Sequence, residues 1–268
     1  MTTILKNTLT QSNLWGAVIP LHILGIYSII NLFQSDVPMY WIPLTMVGLL
    51  CIEIIGVSAG LHRWASHKSF EVNNVVKAIM LWFGCLGCQG SPIFWATIHR
   101  GYHHRYSDKD KDPHNPKDGF WHSYIWWMFR IKEGDYNTKR IPDLLRDPVV
   151  LFLHKYYIPV LWITNIVALL IGLNFWLYFI ILPALITFHK FCIQTSVVHY
   201  KNLGYRNYET TEDSVNIPWL WPFTLGEAWH NNHHGKPSDP HIGGRHWWEL
   251  DPTYWVIRVI RTNKTYEH

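Results

Sequence analysis

Nine of the 17 histidines in this 268-residue chain gather at four places. His62 and His67 stand in "HRWASH", His99, His103 and His104 in "HRGYHH", and His230, His233 and His234 in "HNNHH", inside the longer run "GEAWHNNHH". His199, in "TSVVHY", is the ninth. Imidazole is a good ligand for iron, zinc, copper and nickel, and nine such ligands exceed what one ion of about four to six coordination positions can use. A two-metal centre is the economical reading. On a helix, residues three and four apart share a face, so His233 and His234 straddle His230. His99 and His103 lie one turn apart, with His104 displaced by about 100° around the axis. Adjacent histidines that point in different directions can serve two ions at once. The five-residue spacing of His62 and His67 fits no single α-helical face and implies an irregular or widened turn. One HxxxH alone is weak evidence, because a lone core histidine is commoner than a ligand. Three clusters in the order HxxxxH, HxxxHH, HxxHH are specific.

Long apolar elements must bring these clusters together. The chain is 49% hydrophobic and 16% charged, against about 25% charged in ordinary soluble domains. Runs at about 14–33 and 41–61 each approach the ~20 residues that cross a hydrocarbon core, and "QSDVPM" at 34–39 joins them in a tight hairpin. A second pair occupies about 157–173 and 175–191. A weaker run, 78–96, holds Gly84, Gly87, Gln89, Gly90, Ser91 and Pro92, which suit an interfacial or re-entrant segment. None of the 23 Lys and Arg falls in the hairpin tips at 34–40 and 172–174. By the positive-inside rule the tips are external and both termini cytoplasmic. All four histidine places then face the cytoplasm. The expected fold is an all-α integral membrane protein: four transmembrane helices in two hairpins plus an interfacial helix. A helical cytosolic cap from 62–156 and 192–268 holds the metals, and the whole chain, 1–268, forms a single domain. Cys51, Cys85, Cys88 and Cys192 lie in or beside apolar runs and make no disulfide framework. Cys85 and Cys88 form a CxxC whose flanking glycines suggest close packing and not redox chemistry. The N-terminus has no charged stretch leading into a short apolar segment and cleavage site, so the first run is expected to be retained.

The pattern closely resembles the membrane fatty-acid desaturases, in particular the stearoyl-CoA, Δ9-type branch. The likeness runs from "GVSAGLHRWASHKSF" (56–70) through "QGSPIFWATIHRGYHHRYSDKDKDPHNPKDGF" (89–120) and "NLGYRNY" (202–208) to "GEAWHNNHH" and "WWELDPTYWVI" (247–257). It implies four spanning helices under a cytosolic cap that holds two irons. It implies that His62, His67, His99, His103, His104, His199, His230, His233 and His234 are the iron ligands and the catalytic group. That family uses O2 and two delivered electrons to remove two hydrogens from an unactivated acyl chain, releasing water. By the same resemblance Gln89 and Trp95 line the acyl tunnel near its bend. Glu227 and Asn231 belong to the surroundings of the third cluster, where carboxylates and amides orient imidazoles through the far ring nitrogen. His114, in "DPHNPKDGF", belongs to a recurring loop motif and is expected to be structural.

The departures fall in one stretch, "FCIQTSVVH" at 191–199. Thr195 stands where the family has an Asn that reaches one iron through a water. Phe191 and Cys192 replace a Thr-Trp pair of the tunnel wall, and Thr97-Ile98 replaces an Arg-Asp that meets the CoA head group in animal enzymes. An acyl-carrier protein or a lipid is therefore expected to carry the acyl group in preference to CoA. The chain has neither an "HPGG"-like haem motif nor a GxGxxG, so electrons come from a separate ferredoxin or cytochrome b5. Arg100, Arg105, Lys109, Lys111 and Lys117 are available to dock that acidic carrier or to meet anionic lipid. The reading favours a bacterial cell membrane over endoplasmic reticulum, with no nucleic-acid partner. An acyl acetylenase or hydroxylase on the same scaffold is the alternative within this chemistry. A divalent-metal transporter fits less well, because transporters place ligands near the bilayer midplane and the clusters here lie at or beyond span ends.

Overall fold

A computed structural model describes residues 11–34, 36–131 and 136–262. Both chain ends, and with them the expected placement of the termini, lie outside the described residues. Among those residues the chain is helical throughout and forms no strand, only isolated bridges that join Asn216 to Tyr205 and to Trp229.

Three helices are long and apolar enough to cross a bilayer: α1 (Leu14–Gln34), α2 (Trp41–Ser66) and a later one at Leu173–Val197. Between them lie α3 (Asn74–Leu86), α4 (Pro92–Ala96), α5 (Pro148–Lys155) and α6 (Tyr157–Ile171). The helix at Leu173–Val197 is α7, and α8 (His230–Gly235) and α9 (Pro252–Ile260) follow. A fourth crossing exists only if α5 and α6, which meet at a 76° bend, count as one span. Phe33 is 83% exposed and Leu170 81%. Such residues face outward because the surrounding medium is hydrocarbon, not because the helices lack a core.

Local chemistry starts the shorter helices. Asn73 accepts hydrogen bonds from the Val75 and Val76 N–H groups at the start of α3, and Ser91, before Pro92, caps α4 through Phe94 N–H. Asp147 caps α5 through Val149 and Val150, and Asp251 caps α9 through Tyr254. Each satisfies donors that the first turn leaves free. Apolar spans gain little from the hydrophobic effect within lipid, so small residues let their backbones touch. A methyl group placed on Gly56 of α2 would overlap the Gly84 backbone of α3, and one on Gly48 would overlap the Phe179 carbonyl of α7. Cys85 and Cys88 are free, buried thiols beside this contact, and burial pushes the Cys88 thiol up to about 12.

The expected 78–96 segment divides into α3 and α4, neither of which has the length of a span. The second helix runs five residues further than the expected 61, reaching Ser66. Its continuation carries the first histidine cluster out of the apolar run.

Candidate metal centre

The second part of α2, Leu50–Ser66, is wound in wide turns with i→i+5 hydrogen bonding, as is Thr97–His103 after α4. In an ordinary α-helix, residues five apart diverge by about 140° around the axis. Widened turns bring them back toward one face. His99 and His104 accordingly converge, with Nε2 atoms 3.1 Å apart. His103 turns the other way, so the one-turn partner of His99 is not the residue it meets.

The nine histidines form two groups without remainder. His62, His67, His99, His104 and His233 offer ring nitrogens that all lie within 4.8 Å of one another; His103, His199, His230 and His234 do the same. The adjacent pairs 103/104 and 233/234 are each split between the groups. In the first group the Nε2 atoms form a continuous series: His62 to His233 at 3.0 Å, His233 to His104 at 2.8 Å, His104 to His99 at 3.1 Å and His99 to His67 at 3.0 Å. In the second, His199 and His230 stand 3.2 Å apart through Nε2.

These distances fit a bound cation better than hydrogen bonds. A ring nitrogen carries either one proton or one lone pair in the ring plane, yet Nε2 of His233, His104 and His99 each faces two others. Nitrogens about 2.0–2.1 Å from a shared ion, as in zinc sites, are about 3 Å apart when they occupy neighbouring octahedral positions. His234 Nε2 is buried with no hydrogen-bond partner, which suits a metal ligand. Burial, followed by the neighbouring imidazoles, drives His67, His99, His104, His230, His233 and His234 well below the usual histidine value. They are neutral at pH 7, which is the ligating form.

Carboxylates stand at the far ring nitrogens of four of these histidines. Glu227 meets His62 Nδ1 at 2.6 Å, and Asp112 meets His103 Nδ1 at 2.9 Å. Asp108 stands 3.3 Å from His199 Nδ1, and Glu212 lies 3.5 Å from His234 Nδ1. Burial alone would raise the Glu227 carboxyl, but His62 and Arg63 outweigh it and hold it well below the ordinary range. Arg63, itself 1% exposed, bonds Glu227 at 2.7 Å, Asp251 at 2.7 and 2.9 Å and the Pro240 carbonyl at 2.7 Å. One guanidinium thus ties α2 to the segments that carry the third cluster.

Glu227 therefore serves the first cluster, although in sequence it adjoins the third. Asn231 makes its hydrogen bonds to the Asn207 and Tyr208 N–H groups, the Tyr208 carbonyl and Ser214. It pins the 207–208 segment against α8. Thr195 donates to the Ser123 or Cys192 carbonyl at 3.2 or 3.1 Å. His114 lies outside both groups, its ring 4.4 Å from that of His103, and burial pushes it down to about 3.

A cavity touches both groups, lined by His62 and His99 of the first and His103 and His230 of the second, with Trp95, Phe191 and Thr195. Trp95 donates to Gln89 at 3.0 Å, so Gln89 stands behind it, while Cys192 is wholly buried in the bundle core. Sequence reasoning misses Asp108, Asp112 and Glu212. Asp112 has a signal, since it opens the "DPHN" loop nine residues after His103; Asp108 and Glu212 have none.

Fold and site together define an integral membrane protein whose helix ends and connecting segments assemble two sets of imidazoles in positions that could hold metal ions. Residues 36–264 match the model of the fatty acid desaturase family. The chain is 37% identical over 216 residues to the sn-2 palmitoyl-lipid 9-desaturase of Nostoc sp. (strain 36), covering 78% of this chain and 74% of that protein. It is 33% identical over 210 residues to the sn-1 stearoyl-lipid 9-desaturase of Anabaena variabilis, covering 77% and 75%. It is 31% identical over 224 residues to Delta-9 acyl-lipid desaturase 1 of Arabidopsis thaliana, covering 81% and 72%. The chain belongs to the fatty acid desaturase family and is an oxidoreductase.

Proposed function

We propose that the chain is a single O2-dependent desaturase unit that holds two iron ions, one per histidine group, and introduces a carbon–carbon double bond into a fatty acyl chain. The division of the nine histidines into five and four around one cavity carries this reading. Bound iron supplies, with O2, an oxidant able to take hydrogen from unactivated methylenes, which no side-chain acid or base can do near neutral pH. The overall balance is one –CH2–CH2– unit, O2, two electrons and two protons to one –CH=CH– unit and two waters.

The chain's own residues bind and orient. Trp95 and Phe191 give the methylenes an apolar wall, and Gln89 fixes the Trp95 ring through its indole N–H. Glu227 and Asp112 hold the His62 and His103 rings. Thr195, which lines the cavity with its proton committed to a backbone carbonyl, would have oxygen lone pairs free to accept from a water held at the metal site. The relatives' names support an acyl lipid as substrate, ahead of an acyl-carrier protein or acyl-CoA. Electrons arrive from ferredoxin or cytochrome b5. Exposed Arg105, Lys109 and Lys111 suit an acidic donor, whereas Arg100 is engaged by Asp143 and Lys117 by Asp213. The bent α5–α6 pair is taken as one span, giving four, with both termini in the cytoplasm of a bacterial cell. Acetylenase and hydroxylase activities lack comparable support, since the relatives compared are named as desaturases or desaturase-like proteins.

Expression in a desaturase-null host, followed by mass spectrometry of the acyl groups in each lipid class, tests this reading. New monounsaturated chains in membrane lipids are expected. Hydroxylated or triple-bonded products, or none, contradict it. His233→Ala should abolish product and iron binding by the first group while membrane insertion persists; normal turnover by that variant defeats the metal assignment.

A further inference from the structure

One wall of the cavity is charged although it lies within two apolar spans. Glu53 of α2 and Lys190 of α7 form an ion pair there, 2% and 8% exposed. Each stands nine residues before a site histidine of its own segment, His62 and His199, which places the pair on the membrane side of the metal groups. Glu53 Oε2 is buried and has no hydrogen-bond partner. Stability does not account for such a pair. Removing two charges from water is expensive, and apolar residues of similar volume serve as well or better. Charges inside membrane segments are kept where they have work to do.

The neighbouring wall is apolar. Val57 lies one helical turn from Glu53, and Phe191 follows Lys190. A saturated chain lying past Trp95 and Phe191 toward the membrane interior therefore runs into the pair. Hydrocarbon cannot displace it, because parting the two groups would leave both charges bare, and a methyl end offers nothing to Glu53 Oε2. We propose that the Glu53–Lys190 pair is the floor of the acyl cavity. It arrests the methyl end and so fixes both the longest chain accepted and which carbons lie beside the histidines. This rests on the desaturase reading above. Glu53 and Lys190 are positioning residues that act on the chain's far end and not on the reacting carbons.

The test is a series of saturated fatty acids of increasing length fed to the desaturase-null host that expresses the full chain, with product lengths and double-bond positions read by mass spectrometry. The wild type should show a sharp upper limit, with product falling roughly tenfold for each methylene beyond it. Glu53→Ala with Lys190→Ala, which removes charge and volume together, should raise the limit and move the double bond relative to the methyl end. Glu53→Gln with Lys190→Met, which restores the volume, should return the limit toward the wild type. A wild type without a length limit overturns the proposal, as does an active double-alanine variant that keeps the wild-type limit and bond position. The wild-type series remains decisive even if the double-alanine variant fails to accumulate. No product at any length contradicts the desaturase reading itself, a result distinct from uniform product at every length.

Discussion

An imidazole can ligate only if one nitrogen is free of its proton and the ring is held at the right angle, and the carboxylates behind His62 and His103 provide both conditions. Glu227→Gln removes the charge from a buried cluster in which Arg63 also depends on it. Metal affinity of the first group should fall by about 10–100-fold, read by competitive titration of purified protein; Asp112→Asn should do the same to the second group. Affinities within twofold of wild type would deny these carboxylates an orienting role. The lowered histidine values have a further consequence. The folded, metal-free protein binds fewer protons than the unfolded chain once pH falls below the unfolded value of about 6.5. Stability must therefore drop with acidification, and the apo protein's melting temperature in detergent should be lower at about pH 5.5 than at pH 7.5. An unchanged midpoint contradicts that sign. All nine histidines are legible in the sequence because residue type and clustering survive without coordinates. Their partition is not, because it depends on turn width, which Thr97–His103 does not announce. Glu227 adjoins the third cluster in sequence, whereas folding delivers it to His62.

Helix α2 combines two properties that the hydropathy pattern cannot separate. Its first part, Trp41–Leu49, is ordinary α-helix, and its second part, Leu50–Ser66, begins within the apolar run, is wound more widely and carries the first cluster beyond it. The extent of α1 is recoverable from composition. The ends of α2 and α7 are not, since helix persists past the apolar runs expected to close at 61 and 191, to Ser66 and Val197. The bend at Tyr156 is partly legible. Asp147-Pro148 marks where α5 begins, and Pro159, which has no N–H for the Lys155 carbonyl, marks a break soon after Tyr156, but neither residue gives the 76° change of direction. The α2–α3 contact yields a prediction at this scale. Gly56→Ala places a methyl group into the Gly84 backbone, which has no side chain to swing aside. It should destabilise the protein by about 1–3 kcal/mol, seen as a lower melting temperature in detergent. A midpoint within error of wild type would show that α3 can move away freely.

For the molecule as a whole, the distribution of basic residues implies an orientation that labelling can check. Single cysteines placed at Val37 and Gly172, in a background lacking the four native thiols, should react with a membrane-impermeant reagent applied outside intact cells. Cysteines at Asp110 and Arg245 should react only after the cells are opened, and the reverse pattern would invert the protein. The order of the motifs makes the family recognisable from the sequence, but the joining of distant segments requires coordinates: Arg63 holds Asp251 across 188 positions, and His62 meets His233 across 171. That joining bears on how the protein is made. Neither histidine group is whole until residues 233 and 234 have left the ribosome, long after α1 and α2 can enter the membrane. On the two-iron proposal, metal loading would be a late, post-insertional event, and a nascent chain halted before the last cluster would carry part of each histidine group and the whole of neither.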